Sequence, residues 1–153
     1  MLKRTHLVIA LGVILYFLDV PQLRNKLIFT VVVLISSMLP DLEGVFAGSA
    51  GNKGRFFRSV FYSEQKNGVL HSYTVCIIIS IFLAMFYPIY AFSFFIGYSF
   101  HLFADSFTPQ GIQAFWPHKS RSTGHITPGG RLEMMLFYVM LIVDFALLIK
   151  LAV

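Results

Sequence analysis

Long apolar runs alternate with charged or Gly/Pro-rich stretches along the whole chain. None of these runs shows the strict apolar-polar alternation of a half-buried strand, so each is typical of a helix. Prolines stand near the ends of several runs, where they stop a helix at low cost. The pattern predicts a single all-α domain over residues 1–153. Five helices are expected, at about 6–20, 25–39, 70–87, 89–107 and 132–152.

Composition indicates that these helices lie in a membrane. Apolar residues make up 57% of the 153 residues and charged residues only 12%, and the mean hydropathy is +0.75. Soluble domains carry about 25% charged residues. The last three predicted helices, at about 18 to 21 residues each, are long enough to cross a hydrocarbon core of about 30 Å. We therefore predict a polytopic membrane helix bundle.

The first two predicted helices are shorter than the other three. Two arrangements remain open: full crossings, lengthened by snorkelling of Arg24 and Lys26, or a hairpin that crosses only in part. A secretory signal over residues 1–20 is a weaker interpretation, because the apolar run ends in Asp19-Val20-Pro21 and not in a small-residue cleavage pattern.

The positions of Lys and Arg predict the orientation of the bundle. The N-terminal segment and the 40–69 and 108–131 loops hold nine of the twelve basic residues. By the positive-inside rule, these three segments lie in the cytoplasm and the protein is a multi-pass membrane protein. The net charge of +5 largely reflects the excess of Lys and Arg in these segments, so no nucleic-acid partner is expected.

Ionisable side chains close to hydrocarbon are costly and usually functional, so their positions carry weight. Five of them fall near predicted helix ends: His6, Asp41, His71, His101 and Asp105. In an up-and-down bundle all five lie at the cytoplasmic face, and the four-residue spacing of His101 and Asp105 places both on one side of their helix. Three imidazoles and two carboxylates suit a divalent metal, either zinc or a pair of ions including manganese or iron. Zinc is preferred on ligand softness.

The alternative for any single member of this set is an ordinary interfacial residue, because a histidine at a helix end is usually solvated or hydrogen-bonded. Convergence of the five at one face favours a shared site. His118 and His125, in the polar loop, are interpreted as ordinary surface residues. Asp144 lies inside the fifth predicted helix, either as a buried hydrogen-bonding group or as a sign that this helix is shorter. Cys76, the single cysteine, is expected in the core.

Several sequence blocks resemble those of a known family. They are Thr5-His6, Leu39–Glu43, Gly68–Ser72, Gly97–Gly111 and Trp116-Pro117. In this order and content they are similar to the YdjM-like family, which is described as inner-membrane-associated metal-dependent hydrolases and as LexA-binding. The resemblance extends to about residue 133, and its fourth block is the most specific.

The resemblance implies metal-dependent hydrolysis at a membrane, with the same five residues as metal ligands. The family is similar in motif style to zinc phospholipases C and single-strand nucleases, which implies a phosphoester substrate by analogy. The chain departs from the family where His-Arg-Gly is common, because it has Lys66-Asn67-Gly68 there. One potential ligand is therefore absent.

Hydrolysis also needs a group that transfers protons, and two carboxylates near the cytoplasmic face are candidates for this catalytic role. Glu43 follows Asp41 by two residues, and Glu133 begins the fifth predicted helix. Either is equally explained as a surface charge or as a carboxylate that the helix dipole favours. The 108–131 loop adds Phe115-Trp116-Pro117 and nearby cations, a combination that suits the lipid headgroup region.

The leading hypothesis is a membrane-bound metal-dependent hydrolase with a cytoplasm-facing site, acting on a phosphoester or lipid-related substrate. The alternative is a non-catalytic membrane protein in which a structural or degenerate metal site supports binding of a cytoplasmic protein partner. A transporter is least favoured, because Asp144 is the one clear polar group within the predicted spans.

Overall fold

The computed structural model of the chain describes residues 1–21, 23, 25–49, 69–118 and 120–152, without the side chains of 42–49. Within these ranges it contains five helices and no strand beyond an isolated bridge between Ile112 and Ser122. The helices are α1 (Lys3–Leu18), α2 (Lys26–Ser49), α3 (Tyr73–Phe86), α4 (Pro88–Ser106) and α5 (Arg131–Ala152). The prediction of an all-α chain with five helices is confirmed for the described ranges.

The first and last helices run parallel to each other. Thr5 near the start of α1 donates a hydrogen bond of 2.9 Å from its hydroxyl to Glu133 near the start of α5. At the other end of both helices, the Lys150 ammonium lies 2.5 Å from the Asp19 carboxylate. Parallel packing of α1 and α5 is what an alternating up-and-down path of five helices requires.

Helices α2 and α4 are also parallel and form the most extensive helix contact of the described chain. Phe29 and Phe92, in the first turns of the two helices, have ring centroids 6.1 Å apart. Toward the other end, the Ser37 carbonyl lies 2.7 Å from Nδ1 of His101. The middle of α2 and the last turns of α4 therefore lie together, and the stacking of His6 on His101 places the start of α1 beside them.

Glycine at position 97 allows α2 and α4 to approach closely. A Cβ atom there would lie 2.6 Å from the backbone oxygen of Val33 and 2.2 Å from Oγ of Ser36. Real Cβ atoms do not approach other atoms this closely, so the crossing point admits only glycine. This contact fixes the register that places His101 beside Ser37.

The helix boundaries differ most from the prediction in α2, which was expected to end near residue 39 before Pro40. The helix instead continues through Pro40 to Ser49. Proline removes one backbone donor from a helix but does not forbid its continuation when other contacts hold the chain. The site residue Asp41 therefore lies within α2 and not just beyond its end.

A tight connection joins α3 to α4. Ser72 begins α3 by accepting a hydrogen bond of 3.1 Å from the Thr74 backbone, so the helix starts later than the predicted residue 70. Tyr87 alone separates α3 from α4, and Pro88 occupies the first turn of α4, where its missing N–H costs little. The two helices therefore form a hairpin with almost no loop.

Among the described helices, α5 is the one that is long and apolar enough to cross a membrane by itself. Its 22 residues extend about 33 Å. Only Glu133 and Asp144 of this helix are buried, so its apolar surface faces outward, unlike that of a core helix in a soluble protein. Crossing of the membrane by all five helices stays a prediction.

Candidate metal centre

Two histidines and two aspartates from two helices and one loop meet at one end of the bundle. The ligand atoms of Asp41, His71, His101 and Asp105 all lie within 4.8 Å of one another. His71, His101 and Asp105 are buried, whereas Asp41 is half-buried. Carboxylate and imidazole ligands at this density are the donor set that binds zinc and other divalent transition metals. This group can hold a metal ion.

Asp105 is the centre of the cluster. Its Oδ2 atom lies 3.3 Å from Nε2 of His101 and 3.7 Å from Nε2 of His71. Its Oδ1 atom lies 3.1 Å from Nε2 of His6 and 2.7 Å from the amino group of Met1. One carboxylate thus draws together groups from the start of α1, from the segment before α3 and from the end of α4.

A backbone carbonyl fixes the orientation of His101. Nδ1 of its ring lies 2.7 Å from the Ser37 oxygen, and a carbonyl can only accept, so Nδ1 carries the proton. In the neutral ring the lone pair is then on Nε2, which faces Asp105 and lies 3.8 Å from Oδ1 of Asp41. Metal-binding histidines commonly use this arrangement, with the second nitrogen bonded to a carbonyl or carboxylate.

Pro40 interrupts the backbone hydrogen bonds of α2 close to the carbonyl that His101 contacts. A proline within a helix has no N–H for the carbonyl four residues before it, and its ring crowds that carbonyl. Here the affected oxygen belongs to Ser36, the residue immediately before Ser37. The backbone ladder of α2 is therefore interrupted beside the group that orients the His101 ring.

The 107–126 loop positions His71 through its neighbour Ser72. The Ser72 hydroxyl donates to the Ala114 carbonyl at 3.2 Å and accepts from the Trp116 backbone at 3.1 Å. The Tyr73 backbone donates to the same Ala114 oxygen at 2.9 Å. His71 is consequently held between α3 and a loop segment that packs against the bundle.

The loop itself is closed by backbone hydrogen bonds close to Asp105. Ile112 and Ser122 exchange two bonds of 3.0 Å, and Thr108 donates from its hydroxyl to the Asp105 carbonyl at 2.7 Å. Gly111 has a φ of +60°, and a Cβ atom there would lie 2.1 Å from the Ser122 oxygen. The turn after α4 therefore requires glycine at this position.

His6 lies against the cluster without belonging to the group of four. Its ring is stacked on that of His101, with centroids 4.0 Å apart and planes 17° from parallel. The side chain is 3% exposed, and neither ring nitrogen makes an aligned hydrogen bond. Nε2 of His101 is likewise buried without a hydrogen-bond partner. Unpaired buried polar atoms are costly, about 1–3 kcal/mol each, and coordination of metal through Nε2 would satisfy one nitrogen of each ring.

Of the two predicted proton carriers, the structure describes the side chain of Glu133 but not that of Glu43. Glu43 lies on α2, but its side chain is outside the described residues. Glu133 is 1% exposed, and its carboxylate accepts three hydrogen bonds: from the Leu2 backbone at 2.6 Å, the Thr5 hydroxyl at 2.9 Å and the Gly129 backbone at 2.5 Å. These contacts tie α5 to the start of α1, next to His6. Its catalytic role stays a prediction.

The remaining singled-out residues lie apart from the cluster. His118 and His125 are exposed in the loop, and Cys76 is a free, buried thiol in the core between α3 and α4. Asp144 is buried in α5 beside α1, and neither of its carboxylate oxygens has a hydrogen-bond partner. Lys66, at the departure from the family pattern, lies outside the described residues.

Comparison with models of protein families gives a match over residues 1–151 to the family described as YdjM inner membrane protein. The chain belongs to this family. The resemblance predicted from the sequence blocks is therefore confirmed, and with it the membrane class of the protein. No curated protein and no solved structure matches this YdjM family member.

Sequence reasoning missed the residues that orient the ligands of this YdjM family member. The Ser37 carbonyl contacts His101, and the Ser72 hydroxyl holds the segment of His71 to the 107–126 loop, yet serines within or before an apolar run give no distinctive sequence signal.

Proposed function

We propose that this YdjM family member is a membrane-bound, metal-dependent hydrolase whose site faces the cytoplasm and acts on a phosphoester or lipid-related substrate. The observation that carries the proposal is the cluster of Asp41, His71, His101 and Asp105. Four ligand side chains meet at one end of the bundle, and His101 is held in the tautomer that offers Nε2 to an ion.

The chain's own residues would divide the work as follows. Asp41, His71, His101 and Asp105 hold the ion, and the Ser37 carbonyl keeps the His101 ring in place. A divalent ion bound there supplies Lewis acidity, which polarises a phosphoryl oxygen and lowers the pKa of water toward neutrality. Zinc is our preferred ion on ligand softness, ahead of manganese or iron.

Proton transfer is assigned to Glu43 or Glu133, and the contacts of Glu133 bear on the choice. Its two oxygens are already engaged by two backbone N–H groups and a hydroxyl. Three donors stabilise the charged form of a carboxylate and leave it a weak base. Glu43, two residues beyond Asp41 on α2, is the other candidate.

The proposed topology is multi-pass, with the N-terminus and the long loops in the cytoplasm. Support comes from the parallel packing of α1 with α5, and from the outward apolar surface of α3. Ile78, Phe82 and Met85 are 60%, 61% and 75% exposed, as lipid-facing side chains would be. In this arrangement the metal cluster lies on the side that carries most of the basic residues.

A second candidate function is that of a non-catalytic membrane protein whose metal site is structural or degenerate and whose loops bind a cytoplasmic protein. Two observations favour this second function. Glu133 is engaged in bonds that hold helices together, and Lys66 lies in the block where the family commonly has His-Arg-Gly, so that one potential ligand is absent.

Elemental analysis of the detergent-purified protein tests the proposal. We expect stoichiometric zinc or manganese in the wild type and loss of the ion in His101→Ala and Asp105→Ala, with gel filtration as the check on folding. His125→Ala, which removes an exposed loop histidine, is the matched control and should retain the metal.

Turnover then separates the two functions. The metal-loaded wild type should hydrolyse a phosphodiester such as bis(p-nitrophenyl) phosphate or a phospholipid in mixed micelles. Absence of metal after zinc and manganese are supplied would exclude the hydrolase. Bound metal without turnover on any phosphoester would favour the non-catalytic function.

A further inference from the structure

The two oxygens of Asp105 face different sets of nitrogen atoms. Oδ2 faces the imidazoles of His101 and His71, at 3.3 and 3.7 Å. Oδ1 faces the imidazole of His6 at 3.1 Å and the amino group of Met1 at 2.7 Å. A buried carboxylate with nitrogen donors on both sides has the geometry to share its oxygens between two ions.

The stacking of His6 on His101 sets the spacing between the imidazoles that face the two oxygens of Asp105. The rings are 4.0 Å apart and almost parallel, and their Nε2 atoms approach the two oxygens of the same carboxylate. Paired metal ions in hydrolytic sites are about 3.5–4 Å apart. Ions bound by the two stacked rings would therefore have the separation that a bridging carboxylate spans.

His6 also has the burial and the donor atoms of a ligand. The residue is 3% exposed, and both of its ring nitrogens lack an aligned hydrogen bond. A histidine that served only to pack α1 would be expected to bond at least one nitrogen to a carbonyl or hydroxyl group. The polar group that its ring approaches in the described structure is instead Oδ1 of Asp105.

We propose that His6 and Oδ1 of Asp105 form a second metal position, so that Asp105 bridges two ions. The first position is that of Asp41, His71 and His101 with Oδ2 of Asp105. Water and substrate oxygens complete the second position. The amino group of Met1, which contacts Oδ1, would move away when this ion binds.

This inference rests on the proposed metal-dependent function and narrows its substrate class. Two metal ions bridged by one carboxylate are the arrangement with which proteins bind the oxygens of a phosphoester on two sides. It thus favours phosphoesters over carboxylic esters as substrates of the site. The competing interpretation is a single-ion site in which His6 is only an ion-pair partner of Asp105.

Manganese titration of the metal-free, detergent-purified full chain decides between these interpretations. We expect two Mn²⁺ per chain in the wild type, with the electron paramagnetic resonance signature of exchange-coupled ions. His6→Ala should bind one ion and give the spectrum of isolated Mn²⁺. His118→Ala, which removes an exposed histidine, is the control and should keep both ions and their coupling.

The wild-type measurement does not depend on the folding of any variant. One uncoupled ion in the wild type would overturn the second position while leaving the proposed hydrolase intact. No bound ion in the wild type would overturn both proposals. Two ions that remain coupled in His6→Ala and in the bulkier His6→Gln would assign the second position to other residues and contradict the role of His6.

Discussion

At the scale of single residues, substitution of Glu133 tests whether its carboxylate has a structural or a catalytic role. Replacement by alanine would leave the Leu2 and Gly129 backbone donors and the Thr5 hydroxyl without their acceptor. Hydrogen bonds to a charged group contribute about 1.5–3 kcal/mol each. We expect Glu133→Ala to lower the apparent Tm in detergent by about 10 °C or more, since each kcal/mol corresponds to about 2–4 °C at this size.

The matched control is Met135→Ala, two residues along the same helix, which is 66% exposed and should leave the Tm unchanged. Differential scanning fluorimetry measures both variants. A Glu133→Ala protein with an unaltered Tm but no hydrolysis would contradict the structural role and restore the catalytic assignment.

The same scale shows which parts of the site could be predicted from the sequence. His6, His71 and Asp105 are ionisable residues close to apolar runs. Because such residues are costly in a membrane, the sequence identified them as candidate site residues. The contact between His101 and the Ser37 carbonyl was not predictable, because every residue has a carbonyl and only tertiary packing decides which one becomes available.

At the scale of helices, two glycines mark close crossings of different kinds. A Cβ atom at Gly12 in α1 would lie 2.6 Å from Oδ1 of Asp144, the end of a side chain on α5. A Cβ atom at Gly97 in α4 would meet the Val33 backbone oxygen as well as the Ser36 hydroxyl. A side chain can be removed by mutation, whereas a backbone oxygen cannot.

We therefore expect both Gly12→Ala and Gly97→Ala to destabilise the bundle, by an amount typical of overpacking, about 1–3 kcal/mol. Asp144→Ala should restore most of the loss in the Gly12→Ala background, whereas Ser36→Ala should restore little in the Gly97→Ala background. Thermal unfolding of the four variants and two double variants measures this. Equal rescue in both pairs would show that the α2–α4 crossing is not set by the backbone contact.

Helix boundaries show why some elements were predicted and others were not. Pro88 acts locally, so the first turn of α4 follows from a sequence rule. The continuation of α2 through Pro40 to Ser49 does not, because it opposes the local preference of proline. Packing of α2 along α4 outweighs that preference, and no local rule contains this contact.

At the scale of the whole molecule, a bound ion would hold together parts of the chain that are far apart in sequence. The cluster joins α2, the segment before α3, and α4. A ligand that binds only the folded state stabilises it by about 2.7 kcal/mol at a hundred times its Kd. We expect a chelator to lower the apparent Tm of the wild type by several degrees and re-addition of zinc to restore it.

Asp105→Ala, which removes the shared carboxylate, should unfold at the same temperature with and without chelator. His125→Ala should respond as the wild type does, because this exposed residue lies in the loop, away from the cluster. Chelator sensitivity that persisted in Asp105→Ala would place the stabilising ion elsewhere in the molecule.

The depth of the metal cluster relative to the membrane is a property of the whole molecule that one residue, Trp116, can report. Trp116 is the only tryptophan of the chain, its side chain is 41% exposed, and neighbouring Phe115 is 61% exposed. The Trp116 backbone bonds to the Ser72 hydroxyl, beside His71, so the depth of Trp116 measures the depth of the metal cluster. Tryptophan is enriched at the membrane–water interface of membrane proteins.

In liposomes, we expect Trp116 fluorescence to be quenched most by lipids brominated near the headgroup, and weakly by lipids brominated deep in the chain. A variant combining Trp116→Phe with Ile142→Trp provides the deep reference, because Ile142 is 68% exposed near the middle of α5. Such a result would place the cluster where it can take a phosphoester from the bilayer surface. Quenching of Trp116 by aqueous iodide alone would mean that the loop stands clear of the lipid, and a soluble phosphoester would then be the better candidate substrate.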